Sequence, residues 1–79
     1  MKVAVQYFAV LREQSGVSSE EIETSAESFA GLYEELRLKH GFTLPVTAIK
    51  VAANAEFGRM EDRIADGCSV VFIPPVAGG

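Results

Sequence analysis

The fold is decided by the stretch VVFIPPVAGG, residues 70–79. Its first four residues are apolar and predict a strand that is buried on at least one face. The two prolines after them have no backbone N–H to donate, so the strand must end there. The last four residues have little side-chain volume, and the two glycines lack a Cβ. The stretch therefore predicts a strand with a thin tail beyond it.

Such a tail can do what an ordinary terminus cannot. Prolines hold the start of the tail extended, and terminal glycines allow its last atoms to enter a channel too narrow for any side chain. The residues predicted to insert into such a channel are Pro74, Pro75, Val76, Ala77 and Gly78. The one reactive group that they deliver is the carboxylate of Gly79. We thus expect a domain over residues 1–75 and a flexible tail over 76–79, against the alternative of an inert end.

The length and composition of the chain argue against several classes of protein. A chain of 79 residues makes one small domain. A net charge of −4 argues against binding to nucleic acid or to an anionic membrane surface. A single cysteine excludes an internal disulfide, and no apolar run is long enough to span a membrane. The expectation is a cytoplasmic protein.

Hydrophobic periodicity predicts an α+β order of elements. The predicted elements are a strand over 2–8, a turn or short helix over 9–14, a strand over 20–24, a helix from Ser28 as N-cap to Gly41, a strand over 49–53, a short strand near 56–57, and the final strand. The core side of the first strand would carry Val3, Val5 and Tyr7. If the first and last strands lie parallel at the centre, the result is a mixed sheet with one main helix packed on one face, the ubiquitin-like β-grasp arrangement.

Alternation along the last strand predicts an exposed apolar patch. If the helix covers Val70 and Phe72, then Val71 and Ile73 lie on the uncovered face together with Phe8. Phe57 is expected nearby. Apolar patches on an uncovered face mark interfaces, so this patch is predicted to bind a partner protein.

The rest of the chain offers no catalytic group. Cys68 is predicted to be a small buried hydrophobe, and His40 to cap the last turn of the helix. The acidic run of Glu20, Glu21 and Glu23 is predicted to be solvated. One histidine and one cysteine cannot form a zinc site, so no metal is expected.

With the tail, the order of elements and the patch considered together, the whole chain resembles the MoaD-type sulfur carriers, the small subunits of molybdopterin synthase. The residues that carry the resemblance are Tyr7-Phe8-Ala9, Arg12-Glu13, Asn54, Asp66-Gly67 and, above all, the run from Phe72 to Gly79. Cys68 departs from the pattern, since relatives commonly have an acidic residue after the Asp-Gly turn.

The resemblance implies a function. A ubiquitin-activating-like adenylyltransferase would use ATP to adenylate Gly79, and a sulfur donor would displace AMP and leave a C-terminal thiocarboxylate. The large synthase subunit would supply the catalytic residues and convert a cyclic pyranopterin phosphate into molybdopterin within a heterotetramer. The chain itself would bind no cofactor. Docking is expected to involve Phe8, Arg12, Phe57, Val71 and Ile73.

Three alternatives remain open from the sequence. The chain could carry sulfur for thiazole or amino-acid synthesis, with the same tail chemistry and another acceptor. It could be a ubiquitin-like modifier that is joined to lysines. It could also be an adaptor that binds a partner through its patch and has an inert tail.

Overall fold

A computed structural model describes residues 1–75 of the chain. Within them the chain forms an α+β fold with a five-stranded mixed sheet and one main helix on it. The strands are β1 (Lys2–Tyr7), β2 (Ser19–Glu23), β3 (Lys50–Ala53), β4 (Glu56–Gly58) and β5 (Ser69–Ile73). The helices are α1 (Ala9–Ser15) and α2 (Phe29–His40), and a short 3-10 turn spans Val46–Ala48. This is the predicted order of elements.

The last strand lies at the centre of the sheet, whose order is β2-β1-β5-β3-β4. β5 is parallel to β1 and antiparallel to β3, while β1 and β2 form an antiparallel hairpin. The predicted central pairing of the first and last strands is therefore confirmed. It places the end of β5, where the tail begins, between the ends of two neighbouring strands.

Helix α2 forms where the sequence places it because both ends have suitable residues. The Ser28 hydroxyl accepts a hydrogen bond from the Gly31 backbone N–H at 3.1 Å, which satisfies a donor that the first turn leaves free. At the other end Gly41 takes a left-handed conformation with φ of 76°. Both predicted boundaries are confirmed.

The core lies between α2 and one face of the sheet. From α2 it receives Phe29, Leu32, Tyr33 and Leu36, and from the central strands Val3, Val5, Tyr7, Val51, Val70 and Phe72. The ring of Tyr33 packs edge-on against that of Phe72, with 5.4 Å between centroids. The predicted core faces of the first and last strands are thus confirmed. The opposite face of the sheet, called here the outer face, lies on the side away from α2.

Two bends in the backbone lie next to phenylalanines. The first strand ends at Tyr7 rather than at the predicted Phe8, because Ala9 has a positive φ of 49° and turns the chain into α1. Phe8 stays extended and acts as the N-cap residue of α1. Asn54 and Ala55 also have positive φ values, the conformation that a tight two-residue hairpin requires. That hairpin carries Phe57 on β4.

Candidate docking face and tail root

The sheet register brings apolar side chains together on the outer face. Phe57 lies opposite Ala52, and Ala52 lies opposite Val71. Residues directly opposite share a face, so these three form one row across adjacent strands, with Phe57 and Val71 roughly 10 Å apart. Phe57 is 81% exposed and Val71 is half-buried. The outer face therefore carries the apolar row that the sequence predicts.

Ile73 lies on the same face as this row, two residues after Val71 along β5 and toward the end of the sheet. Because Tyr7 is in register with Phe72 on the parallel neighbour, the next residues along, Phe8 and Ile73, come side by side. Phe8 is 43% exposed. The structure thus places four of the five predicted docking residues, Phe8, Phe57, Val71 and Ile73, on the outer face or at its edge.

The chain leaves the sheet through Ile73, Pro74 and Pro75, which we call the tail root. Pro74 is buried and Pro75 is exposed. Neither proline can donate a backbone hydrogen bond, which agrees with the end of β5 at Ile73. The tail residues Val76, Ala77, Gly78 and Gly79 lie outside the described residues, so their predicted insertion and reactivity remain predictions.

A groove of about 430 Å³, the α1 groove, lies on one side of the tail root. It is lined by Phe8, Ala9, Val10 and Glu13 from the start of α1 and by Ile73, Pro74 and Pro75. All of these residues except Glu13 are apolar. The groove could therefore accept an apolar side chain of another protein next to the point where the tail begins.

A smaller groove of about 190 Å³, the β3 groove, lies on the other side. It is lined by the tail root together with Ala48 and Lys50. Lys50 is in register with Ile73 across the antiparallel pair. The tail root thus lies between two grooves, one beside β1 and α1 and one beside β3.

The resemblance predicts Arg12 in the docking surface, but the α1 groove is lined by its neighbour Glu13. The reason is helical geometry, because Glu13 lies three residues after Val10 and four after Ala9 and so shares their side of α1. The same spacing could have identified Glu13 in the sequence. Lys50 could be found only once the pairing of β3 with β5 was known. Arg12 is exposed, and its docking role stays a prediction.

The acidic run is not uniformly solvated, which corrects the prediction for Glu20. The half-buried Glu20 carboxylate accepts a hydrogen bond from the Tyr7 hydroxyl at 2.5 Å and lies 3.3 Å from the Lys39 ammonium. His40 was predicted to cap the helix, but its Nε2 lies 2.5 Å from Glu20 instead. The three partners come from β1 and α2, so the cluster ties β2 to both.

Burial and the neighbouring polar groups shift the pKa of Glu20 in opposite directions. Partial burial raises the pKa of Glu20, but the hydrogen bond from Tyr7, the contact with His40 and the hydrogen bond from Lys39 outweigh it, so its pKa lies below its ordinary value. Burial, aided by the Glu20 carboxylate, raises the pKa of Tyr7. Tyr7 therefore remains a neutral donor and Glu20 an ionised acceptor at neutral pH.

Little else in residues 1–75 suggests chemistry. Cys68 is buried, 4% exposed, as predicted for a small hydrophobe. Across these residues no group of three or more histidine, cysteine and acidic side chains is arranged to hold a metal ion. None of the helices found there is both long and apolar enough to cross a membrane. The features that stand out are the outer face and the tail root.

Comparison with known families decides how these features are interpreted. The sequence pattern of the ThiS family matches residues 5–79, which includes the outer face, both grooves and the tail. The chain belongs to the ThiS family. The family groups ubiquitin-like sulfur carriers and modifiers, whose small carrier subunits are not catalytic themselves. No curated protein is similar enough in sequence to match this ThiS-family chain.

Solved structures with the same fold agree with this assignment. The small archaeal modifier protein 1 of Haloferax volcanii is 21% identical with a TM-score of 0.79, and the alignment covers 100% of both chains. A protein proposed to be subunit 1 of the molybdopterin converting factor of Pyrococcus furiosus is 27% identical with a TM-score of 0.76, over 96% of this chain and 99% of that one. The first likeness shows the ubiquitin-like β-grasp fold alone.

A third structure contains a partner. It is the complex of subunits 1 and 2 of the molybdopterin-converting factor from Helicobacter pylori. The matching chain is 25% identical with a TM-score of 0.66, and the alignment covers 100% of both chains. A chain similar to this one is thus found in complex with a second protein.

Proposed function

We propose that this chain is the sulfur-carrying small subunit of a molybdopterin synthase. One observation carries the proposal: the central strand ends in two prolines that lie between two grooves, at the edge of an exposed apolar face. A partner that docks on this face would receive the segment beyond Pro75. That segment, Val76 to Gly79, has no bulky side chains. The likeness to the P. furiosus and H. pylori proteins supports the choice of pathway.

In the proposed reaction the Gly79 carboxylate attacks the α-phosphorus of ATP in a ubiquitin-activating-like adenylyltransferase. Pyrophosphate leaves and an acyl adenylate forms. Sulfide, or an equivalent sulfur donor, then attacks the acyl carbon and AMP leaves, which gives the thiocarboxylate. We place these steps in the cytoplasm, since they consume ATP.

In the second stage the loaded tail enters the large synthase subunit. That subunit supplies the catalytic residues, within a heterotetramer of two small and two large subunits. The thiocarboxylate sulfur forms a bond to a carbon of a cyclic pyranopterin phosphate in place of an oxygen substituent. Water then cleaves the bond between that sulfur and the acyl carbon, which regenerates the Gly79 carboxylate. The folded domain of the carrier binds the partner and orients the tail. Phe8, Phe57, Val71 and Ile73 provide the apolar contact, and Arg12 a polar one. The same face serves the activating enzyme and the synthase in turn, so each contact must be reversible.

Reconstitution tests this proposal. The chain, loaded as its thiocarboxylate, is mixed with the large synthase subunit and the cyclic precursor, and molybdopterin is measured. We expect product in proportion to the loaded carrier, and none from a control chain that has one extra residue after Gly79. If the loaded chain gives no product here but supplies sulfur to a thiazole or amino-acid synthase, the pathway is wrong. Attachment to lysines of other proteins would favour the modifier alternative.

A further inference from the structure

The tail root has opposite charges on its two sides. Glu13 is the charged residue that lines the α1 groove, and Lys50 is the charged residue that lines the β3 groove. β5 lies between β1 and β3 in the sheet, so the two grooves are separated by about two strand spacings, roughly 10 Å. A partner that occupies both grooves must therefore face an acidic side and a basic side.

Within residues 1–75 both charges are available for pairing. Glu13 and Lys50 are exposed. The ion pairs formed within residues 1–75 join Arg37 to Glu34, Arg59 to Glu61, and Glu20 to Lys39 and His40. Neither Glu13 nor Lys50 takes part in these pairs. A charge at the rim of an apolar contact contributes more to orientation and specificity than to affinity.

We propose that Glu13 and Lys50 fix the orientation of the partner around the tail root. Resting on the proposed function, this inference assigns the partner's chemistry: the large subunit fills both grooves with apolar side chains, places an arginine or lysine opposite Glu13, and places a carboxylate opposite Lys50. The reverse orientation would bring like charges together on both sides. The tail, at most about 14 Å long beyond Pro75, would then point away from its acceptor.

A second copy of the chain is the main rival occupant, because Glu13 of one copy could pair with Lys50 of the other. Each copy carries a net charge of −4, however, and mutual repulsion disfavours that association. The chain's own tail is a weaker rival for the α1 groove, since its terminal carboxylate has the same sign as Glu13. A partner with both charges avoids these conflicts.

Charge-reversal variants distinguish an effect on the orientation of the partner from an effect of net charge on its affinity. The affinity of the purified large subunit is measured by calorimetry for the wild-type chain, Glu13→Lys, Lys50→Glu and the double swap Glu13→Lys/Lys50→Glu. The double swap retains the wild-type net charge. Glu27→Lys is the matched control, because Glu27 is exposed and its carbonyl accepts a hydrogen bond from Ile64 N–H, toward the opposite end of β5 from the tail root.

We expect each single reversal to weaken binding about tenfold, and the double swap to weaken it about a hundredfold, since both pairs are then reversed. Glu27→Lys should stay within about twofold of wild type. A double swap that binds like wild type would overturn the inference, because net charge or pairing with a second copy would then explain the data. Unchanged single variants would overturn it as well.

Two further measurements complete the test. Sedimentation of the chain alone should show a monomer, and a dimer that the double swap preserves would identify the second copy as the occupant. If a reversed variant fails to fold, Glu13→Gln and Lys50→Gln replace it, with a smaller expected loss of about threefold each. If the wild-type chain itself does not bind the large subunit, the proposed function fails and this inference with it. Normal wild-type binding with insensitive variants refutes this inference alone.

Discussion

Two phenylalanines on the same sheet show how differently its two faces are used. Phe72 on β5 is fully buried under α2 and packs against Tyr33, whereas Phe57 on β4 is 81% exposed on the outer face. Both are apolar residues on strands. The buried ring stabilises the body, but the exposed ring has no such role within residues 1–75. The difference supports the proposal that the outer face binds a partner, whereas the core face stabilises the fold.

The largest expected effect is on the core face. Phe72→Ala removes a ring from a close-packed site, and we expect it to lower the free energy of unfolding by about 3–5 kcal/mol. A small domain has only about 5–15 kcal/mol in total, so this variant should be largely unstable near 40 °C. Urea unfolding measures the change. Phe57→Ala in the same assay should change stability by less than about 0.5 kcal/mol, and a similar loss for both would erase the distinction between the faces.

The next effect is on binding. Phe57→Ala should weaken binding to the large subunit about tenfold or more, because an exposed aromatic side chain at an interface often contributes a large share of the affinity. Leu38→Ala is the matched control, since Leu38 is 76% exposed but lies on α2, on the other side of the sheet. Calorimetry compares the two. Equal effects would show that the outer face is not the docking face.

A smaller loss of stability is expected from a substitution at the N-cap of α2, the helix that covers the core. Ser28→Ala removes the hydroxyl that accepts the Gly31 N–H, and should cost about 1 kcal/mol. For a domain of this size the corresponding fall in melting temperature is about 4–8 °C. Calorimetric melting measures it, and binding to the large subunit should be unchanged. If the variant is folded at the temperature of the assay but binds more weakly, the core face also affects binding. That result would contradict separate roles for the two faces.

The smallest effect is a dependence of stability on pH. The pKa of Glu20 is lowered from its ordinary value of 4.5 by folding, so its stabilising contribution is complete above that value. It is lost as the pH falls from about 4.5 through the lowered pKa, because the unfolded chain takes up the proton first. Glu20→Gln should therefore show a weaker loss of stability over this acid range than wild type. Urea midpoints between pH 6 and pH 3 test it, and parallel curves for both proteins would contradict the assignment.

Much of the fold could be predicted because local signals agreed with one another. Ser28 and Gly41 marked the ends of α2, and the alternation of Val3, Val5 and Tyr7 identified the core face of β1. The Pro74-Pro75 pair fixed the end of the last strand. These residues act on their own segment of chain, so no knowledge of distant contacts was needed.

The features that could not be predicted depended on distant contacts. Glu20 and His40 are 20 residues apart and meet only because the hairpin and the end of α2 pack together. Lys50 joins the tail root through strand pairing. Glu13 is a different case, because the helical spacing of Ala9, Val10 and Glu13 is a local signal that could have identified it, whereas the resemblance pointed to Arg12. Sequence patterns show which face a residue takes, but not which residues meet across the fold.

The central claim is that the folded domain serves to bind partner proteins and that the carboxylate of Gly79 carries the sulfur. Intact-protein mass spectrometry after incubation with ATP, the activating enzyme and sulfide tests it most directly. We predict a mass gain equal to the exchange of one oxygen for one sulfur, confined to the C-terminal peptide and absent without ATP. An unchanged mass, or sulfur bound instead at Cys68, would contradict the claim.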